Sequence, residues 1–292
     1  KPLTKSLEEA RLLVNEAQLS SRVLMTGHTF LFNPAVKELR NRLLRGELGE
    51  VYYIYSARLN LGLYRCDANV VWDLAPHDIT IMNHLLDSVP TSVSAWSASL
   101  ARNVEDVAYI RLDYGHLGVS GFIQLSWLDP RKVRTVTVVG KEKMAVYDDL
   151  AEERLRIYDR GVTGLDDGSP PHDRPLSYRY GDIISPHIPS DEPLALEDQH
   201  FLDCIRNCAV PESTGQDGMA VIAILEAIDR ALQGRITAAV DYPSGLDVNA
   251  RRGRPAGTRP AILAESVGNW PGQPLAGGLS GAPPQQIGRR AI

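Results

Sequence analysis

Long apolar runs are missing from this chain, and so is any surplus of positive charge. No stretch of it approaches the roughly 20 consecutive apolar residues that a membrane-spanning helix needs. Lys and Arg number 31 against 36 Asp and Glu, a formal net charge of -5, so no basic stripe is available to neutralise nucleic-acid phosphates. Cysteine is scarce as well. Cys66, Cys204 and Cys208 are too few for a disulfide framework, and their use points to a reducing, cytoplasmic setting. Neither a signal peptide nor a lipidation motif stands at the start. What the chain does have is 43% hydrophobic residues over 292 positions, enough for one large core or two smaller ones.

The most informative stretch is Val71-Trp72-Asp73-Leu74-Ala75-Pro76-His77-Asp78-Ile79. Its pattern predicts the first turn of a helix over about 73–87. Asp73 and His77 stand at i and i+4, so they share a helix face, and the carboxylate can orient and charge-stabilise the imidazole. A histidine held in this way is a general acid/base suited to neutral pH. Pro76 fits a first turn, where the missing N–H had no intrahelical partner. Asp73 is equally a favoured N-cap, so the residues alone also allow a cap with a histidine beside it.

Before this stretch, Ser6 and Glu9 have capping-box spacing ahead of an amphipathic helix over about 7–20, and Val23 to Gly27 reads as a short buried strand. A helix leading into an apolar strand is half of an α/β unit without its partners, as expected of a chain cut from a longer protein. A second helix spans Pro34 to Gly46. Strand-like runs follow at about 50–60, 91–99, 106–114, 118–127, 133–140 and 143–148, with hairpin connections at 113–118 and 140–141. Helices return at about 194–208 and 217–233. The expected fold is α/β in class: an α+β domain with a large, mostly antiparallel sheet covered by helices on one face. From about Ser244 the composition turns to Gly, Pro, Ala and Arg without period, which predicts a disordered tail over 244–292.

Taken together, several segments resemble the Gfo/Idh/MocA family of NAD(P)-dependent sugar oxidoreductases. They are Lys1-Pro2, the junction from Gly27 to Val36, the loop from Gly46 to Val51, the Asp73-x-x-x-His77 pattern, and His200 to Arg206 with Gly215 to Ala227 after it. The likeness covers about residues 1–243. It implies that residues 1–29 are the last helix and strand of a truncated Rossmann domain, and that 30–243 form the substrate-binding and oligomerisation domain. Asn60 to Leu63 and Trp72 to Asp78 are most similar to members acting on nucleotide-linked amino sugars, the UDP-N-acetylglucosamine and UDP-N-acetylglucosaminuronate 3-dehydrogenases. The family's Gly-rich cofactor turn is missing from these residues, so the fragment alone is expected to be inactive.

The resemblance implies hydride transfer between a sugar hydroxyl and NAD or NADP, with a small sugar or nucleotide sugar as partner and a homo-oligomer formed through the sheet. Oxidation of a secondary alcohol needs a base for the hydroxyl proton, and His77 is the candidate. Asp73 is expected to orient it, and Lys1 to favour the developing alkoxide. His28 and Asn33, at the junction, are candidate cofactor contacts. Arg58, Tyr64, Trp72 and Asp78 are candidate substrate contacts.

His200, Cys204 and Cys208 recur at i, i+4 and i+8, a spacing that can hold zinc, and His84 follows His77 by two turns. The same residues with Phe201, Leu202 and Ile205 read better as a core stripe, and no metal is expected. Two other function classes stay open: a metal-dependent sugar isomerase or lyase using the His/Asp pair, and a non-catalytic oligomerisation domain. A cation with three protein ligands near His77 would favour the first; an apolar patch on one sheet face, away from His77, would mark the second.

Overall fold

The computed structural model describes residues 1–62, 65, 67–101, 103–163, 177–244 and 246. Helix α1 (Leu7–Leu19) is capped by Ser6, whose hydroxyl accepts from the Glu9 N–H. It docks through buried Ala10 and Val14, and Glu226 accepts the N–H of Leu7 at 2.7 Å. Helix α2 (Pro34–Leu44) starts at Asn33, with Pro34 in the turn where proline costs no hydrogen bond. Gly46 follows the cap residue Arg45 with φ 73°, the left-handed conformation that suits glycine.

One nine-stranded sheet forms the body. Its strands are β1 (Val51–Leu59), β2 (Ser92–Ala98), β3 (Val107–Tyr114), β4 (Val119–Ser126), β5 (Val133–Gly140), β6 (Met144–Asp148), β7 (Leu155–Thr163), β8 (Ser177–Ile184) and the short β9 (Ala238–Ala239). They lie in the order β8-β7-β6-β5-β1-β4-β3-β2-β9. Every neighbouring pair is antiparallel except β1 with β4. That parallel pair requires a crossover, and helix α3 (Val70–Leu86) lies in it between β1 and β2. Helices α4 (Pro193–Asn207) and α5 (Gly215–Gly234) complete the helical part.

The sheet alternates as a one-sided sheet must. Ile54 on β1, Ile110 and Leu112 on β3, and Ile123 and Leu125 on β4 are buried, together with Ile79 and Met82 of α3. Gly121 permits a close approach of α3, because a Cβ there would stand 2.8 Å from the Met82 sulfur. The opposite face leaves Tyr53, Tyr55, Trp96, Tyr109 and Phe122 exposed.

The six expected strands and both hairpin connections are found, the first hairpin turning through a 3-10 turn at Gly115–Leu117. Three details differ. Residues 23–27 make only one isolated bridge, Met25 with Thr214, because no described strand lies alongside to extend a ladder. Helix α3 begins earlier than expected, with Asn69 as its N-cap accepting from the Trp72 N–H at 3.0 Å. Asp73 is therefore not the cap, and Pro76 lies inside the helix. Finally, β7 and β8 extend the sheet where no strand was expected. The proposed tail, apart from Ser244 and Leu246, lies outside the described residues.

Candidate active site

The site is built where α3, β1 and the 3-10 turn Thr29–Phe32 meet. His77 is half-buried on α3, and its ring makes a T-shaped contact with Phe30, with centroids 5.1 Å apart and planes at 79°. The Arg58 guanidinium lies over the Phe30 ring, 4.6 Å from its centroid. Behind it, Arg58 is held by Asp78 through two hydrogen bonds, Nε to Oδ2 at 2.7 Å and Nη2 to Oδ1 at 3.3 Å. Asp78, Arg58, Phe30 and His77 thus form a chain of contacts from the core to the imidazole.

Burial is the first cause that pushes the His77 pKa well below the usual imidazole range, and the charges of Arg58, Lys1, His28 and Arg134 push it further. His77 is therefore neutral at pH 7, with a lone pair free to take a proton. The Lys1 ammonium is also lowered, first by burial and then by Arg58 and Arg134; Glu197 and Asp73 oppose this. Lys1 is exposed by surface area even so, and protein crowds only part of its side chain.

Asp73 does not bond His77. Its Oδ2 accepts from the Trp127 indole at 3.2 Å and its Oδ1 from Arg65 at 3.5 Å. The i, i+4 spacing brings the two residues onto one helix face, but the carboxylate turns towards Trp127. Its expected part as orienter of the ring passes to Phe30.

Of the expected cofactor contacts, Asn33 is fully committed within the protein. Its Oδ1 caps α2 through the Ala35 N–H at 2.9 Å, and its Nδ2 reaches Tyr147 Oη at 3.0 Å and Asp149 Oδ1 at 3.4 Å. It is 1% exposed and so serves as a strut rather than a ligand contact. His28 is buried beside Thr80, 3.3 Å from Nδ1 to Oγ1. The Thr80 hydroxyl donates to the Pro76 carbonyl at 2.6 Å, which leaves His28 Nδ1 to act as the donor.

The expected substrate contacts also move. Arg58 and Asp78 are both buried and neutralise each other, so they support the site from beneath. Trp72 donates its indole N–H to Asp229 Oδ2 at 2.9 Å and packs α3 against α5. Tyr64 lies outside the described residues. Phe30, Trp127 and Glu197 carry the site's contacts without any motif to mark them in the sequence.

The His200 stripe is a core stripe only at Cys204: Leu202 and Ile205 are 45% and 50% exposed, and Cys208 is exposed as well. His200 Nε2 accepts the Glu212 N–H at 2.9 Å, Cys204 is buried, and Cys208 sits past the helix in a left-handed cap with φ 51°. Among the described residues no three His, Cys, Asp or Glu side chains converge as metal ligands, and no helix is long and apolar enough to cross a membrane.

The chain is similar to D-apiose dehydrogenase of Paraburkholderia graminis, 26% identical over 244 residues, which is 78% of this chain and 62% of that protein. It is 24% identical to scyllo-inositol 2-dehydrogenase (NAD(+)) of Bacillus subtilis over 234 residues, 74% of this chain and 62% of that protein. It thus spans about three-fifths of the length of these curated relatives. Among solved structures it resembles UDP-N-acetylglucosamine 3-dehydrogenase from Acidithiobacillus ferrooxidans, with TM-score 0.64 and 25% identity over 80% of this chain and 70% of that one. The family model described as GFO/IDH/MocA C-terminal domain matches residues 36–146, the segment that runs from α2 through α3 to β6. Over those residues the chain is similar to a Gfo/Idh/MocA C-terminal domain.

Proposed function

We propose that this chain is the catalytic and substrate-binding part of an NAD-dependent sugar dehydrogenase, with His77 as its general acid/base. The observation that carries the proposal is the state of His77: an imidazole with part of its surface open, fixed by Phe30 and held neutral among cations. A neutral imidazole is the form that accepts a hydroxyl proton. Lys1, nearby, provides positive charge for the oxygen as that proton leaves. Asp73 contributes to the field that keeps Lys1 charged. Oxidation also needs a hydride acceptor, and a bound nicotinamide supplies it.

The described residues fit the reacting end of such a cofactor, since a proton acceptor and a cation stand together at a partly open surface. They do not include a cradle for its pyrophosphate, and no Gly-x-Gly-x-x-Gly run occurs in the 292 residues. In this proposal residues 1–29 close a nucleotide-binding domain and residues 30–243 form the substrate domain. The names of the curated relatives, which act on D-apiose and scyllo-inositol, support a secondary hydroxyl of a sugar or cyclic polyol. The likeness to a UDP-N-acetylglucosamine 3-dehydrogenase supports the finer choice of a nucleotide-linked amino sugar.

The test is His77→Ala in the complete gene product, assayed for NAD reduction against a panel of sugars, polyols and nucleotide sugars. Turnover is expected to fall by about 10²–10⁴-fold, the usual worth of a general base, while NAD binding measured by fluorescence stays intact. Full retained turnover would overturn the assignment.

A second role, self-association through the sheet, is supported by the exposed aromatic face. Tyr53 and Tyr55 stack at 6.2 Å and Trp96 meets Tyr109 at 5.9 Å; Tyr55, Trp96, Tyr109 and Phe122 line a groove of about 550 Å³. A patch of this kind on the face opposite α3 marks a protein contact surface.

A further inference from the structure

We propose that Arg134 of β5 is a binding residue at the edge of the site, where its guanidinium takes an anionic group of the substrate, a carboxylate or a phosphate. The proposal rests on the dehydrogenase reading for the bound molecule being a substrate, and on the placement of Arg134 for the rest.

Arg134 pairs in register with Arg58 of β1, so the two side chains leave the same face of the sheet. Like charges directly opposite each other destabilise a sheet, and here each has a carboxylate of its own. The two arginines are not equally committed. Arg58 is buried and grips Asp78 with the fork formed by Nε and Nη2. Arg134 gives one bond, from Nη1 to Asp149 Oδ2 at 3.2 Å, and its side chain is 36% exposed. Among the described residues its Nε and Nη2 hold no hydrogen bond. The edge that Arg58 uses on a carboxylate is thus open on Arg134.

The anchor under Arg134 is buried and leads to the imidazole. Asp149 Oδ1 accepts from the Tyr147 hydroxyl at 2.8 Å and from Asn33 Nδ2 at 3.4 Å, and Tyr147 and Asn33 are each 1% exposed. The Asn33 N–H donates to the Phe30 carbonyl at 3.2 Å, in the 3-10 turn whose ring meets His77. Glu197 Oε2 steadies the start of that turn by accepting from the Thr29 hydroxyl at 2.7 Å. A line of bonds therefore runs from Arg134 through Asp149 and Asn33 to the turn beside His77. An arginine held at one nitrogen by a buried network, with its fork open, is prepared for a planar, two-point anion contact. The chain leading into β5 adds exposed Arg131 and Lys132 against one acid, Asp129, which favours the same sign of ligand.

The experiment compares charged and neutral ligands on the complete gene product, in the parent, Arg134→Met and Arg134→Lys. D-glucuronate supplies a carboxylate, D-glucose 1-phosphate and UDP-N-acetylglucosamine supply phosphates, and D-glucose and N-acetylglucosamine are the neutral counterparts. Binding is measured by calorimetry and NAD-linked turnover by absorbance. The parent is expected to prefer an anionic probe over its counterpart, and Arg134→Met to lower that preference about 10–100-fold, the worth of hydrogen bonding to a charged group. Arg134→Lys, which keeps the charge and a partner for Asp149, retains part of it. Loss confined to D-glucuronate assigns a carboxylate, loss confined to the phosphate-bearing probes assigns a phosphate, and loss in all three assigns a site for either. A parent with no preference for any anionic probe, or a preference unmoved in a folded Arg134→Met protein, overturns the proposal. If Arg134→Met weakens anion binding while the parent shows no NAD-linked turnover, the anion site stands and the dehydrogenase reading falls.

Discussion

Arg58 of β1 and Asp78 of α3 form a two-point ion pair whose side chains are 6% and 1% exposed. It ties the helix that carries His77 to the centre of the sheet. Its planar fork also presents a guanidinium face to Phe30, so one residue satisfies a buried carboxylate and seats the ring that touches the imidazole.

Removing one partner leaves the other charged and dry. Arg58→Met is expected to destabilise the fold by about 3–5 kcal/mol, measured by urea unfolding. The double substitution Arg58→Met with Asp78→Leu should recover most of that loss, since an apolar pair of similar volume is tolerated where half an ion pair is not. A double variant no more stable than the single one would show that the pair's worth is not electrostatic.

The acid side of the stability curve should bear the mark of His77. Its folded pKa is well below the unfolded value of 6.5, so between the two the unfolded chain binds more protons. The contribution is fully present above the unfolded pKa and is lost as pH falls through the window towards the folded pKa. His77→Gln, unfolded in urea from pH 7.5 downward in parallel with the parent, is expected to lose less stability across that window. Parallel curves would contradict a desolvated, neutral imidazole.

The aromatic sheet face predicts association. Placing a charge at its centre with Tyr109→Asp, a site 48% exposed and free of core packing, should leave far-ultraviolet circular dichroism unchanged. Sedimentation velocity should then show a smaller species than the parent chain does. Equal sedimentation of the two would remove this face as the contact surface.

Strands β1 to β6 were legible in the sequence because one face packs and the other does not, which writes a period of two into the residues. Strands β7 and β8 were not: along β8, Tyr178, Tyr180, Ile183 and Ile184 are all exposed, so burial imposes no alternation to read. The start of α3 was misplaced because Asp73 and Asn69 are both good caps, and only the Asn69 bond to the Trp72 N–H decides between them. In the site, the i, i+4 rule placed Asp73 and His77 on one face. It could not foresee that the Trp127 indole, 54 positions along the chain, would claim the carboxylate. Arg58, Asp78 and Asn33, expected as ligand contacts, are buried and bonded within the protein. Such long-range pairings leave no local spacing, and Glu197 is the extreme case.

The parallel pairing of β1 with β4 has a consequence for how the chain assembles. Tyr53 pairs with Ser120 and Arg58 with Arg134, whereas β2, β3 and β4 meet across short turns. Loop closure makes distant pairings slower to form than local ones. During synthesis β1 therefore waits with both edges bare until the two strands that flank it have been made. The β2–β3–β4 meander can form first, and β1 then enters the slot beside β4, bringing Arg58 to Asp78. The ion pair beneath the imidazole is, on this order of events, a late closure, and the surface around His77 matures only when the sheet's centre does.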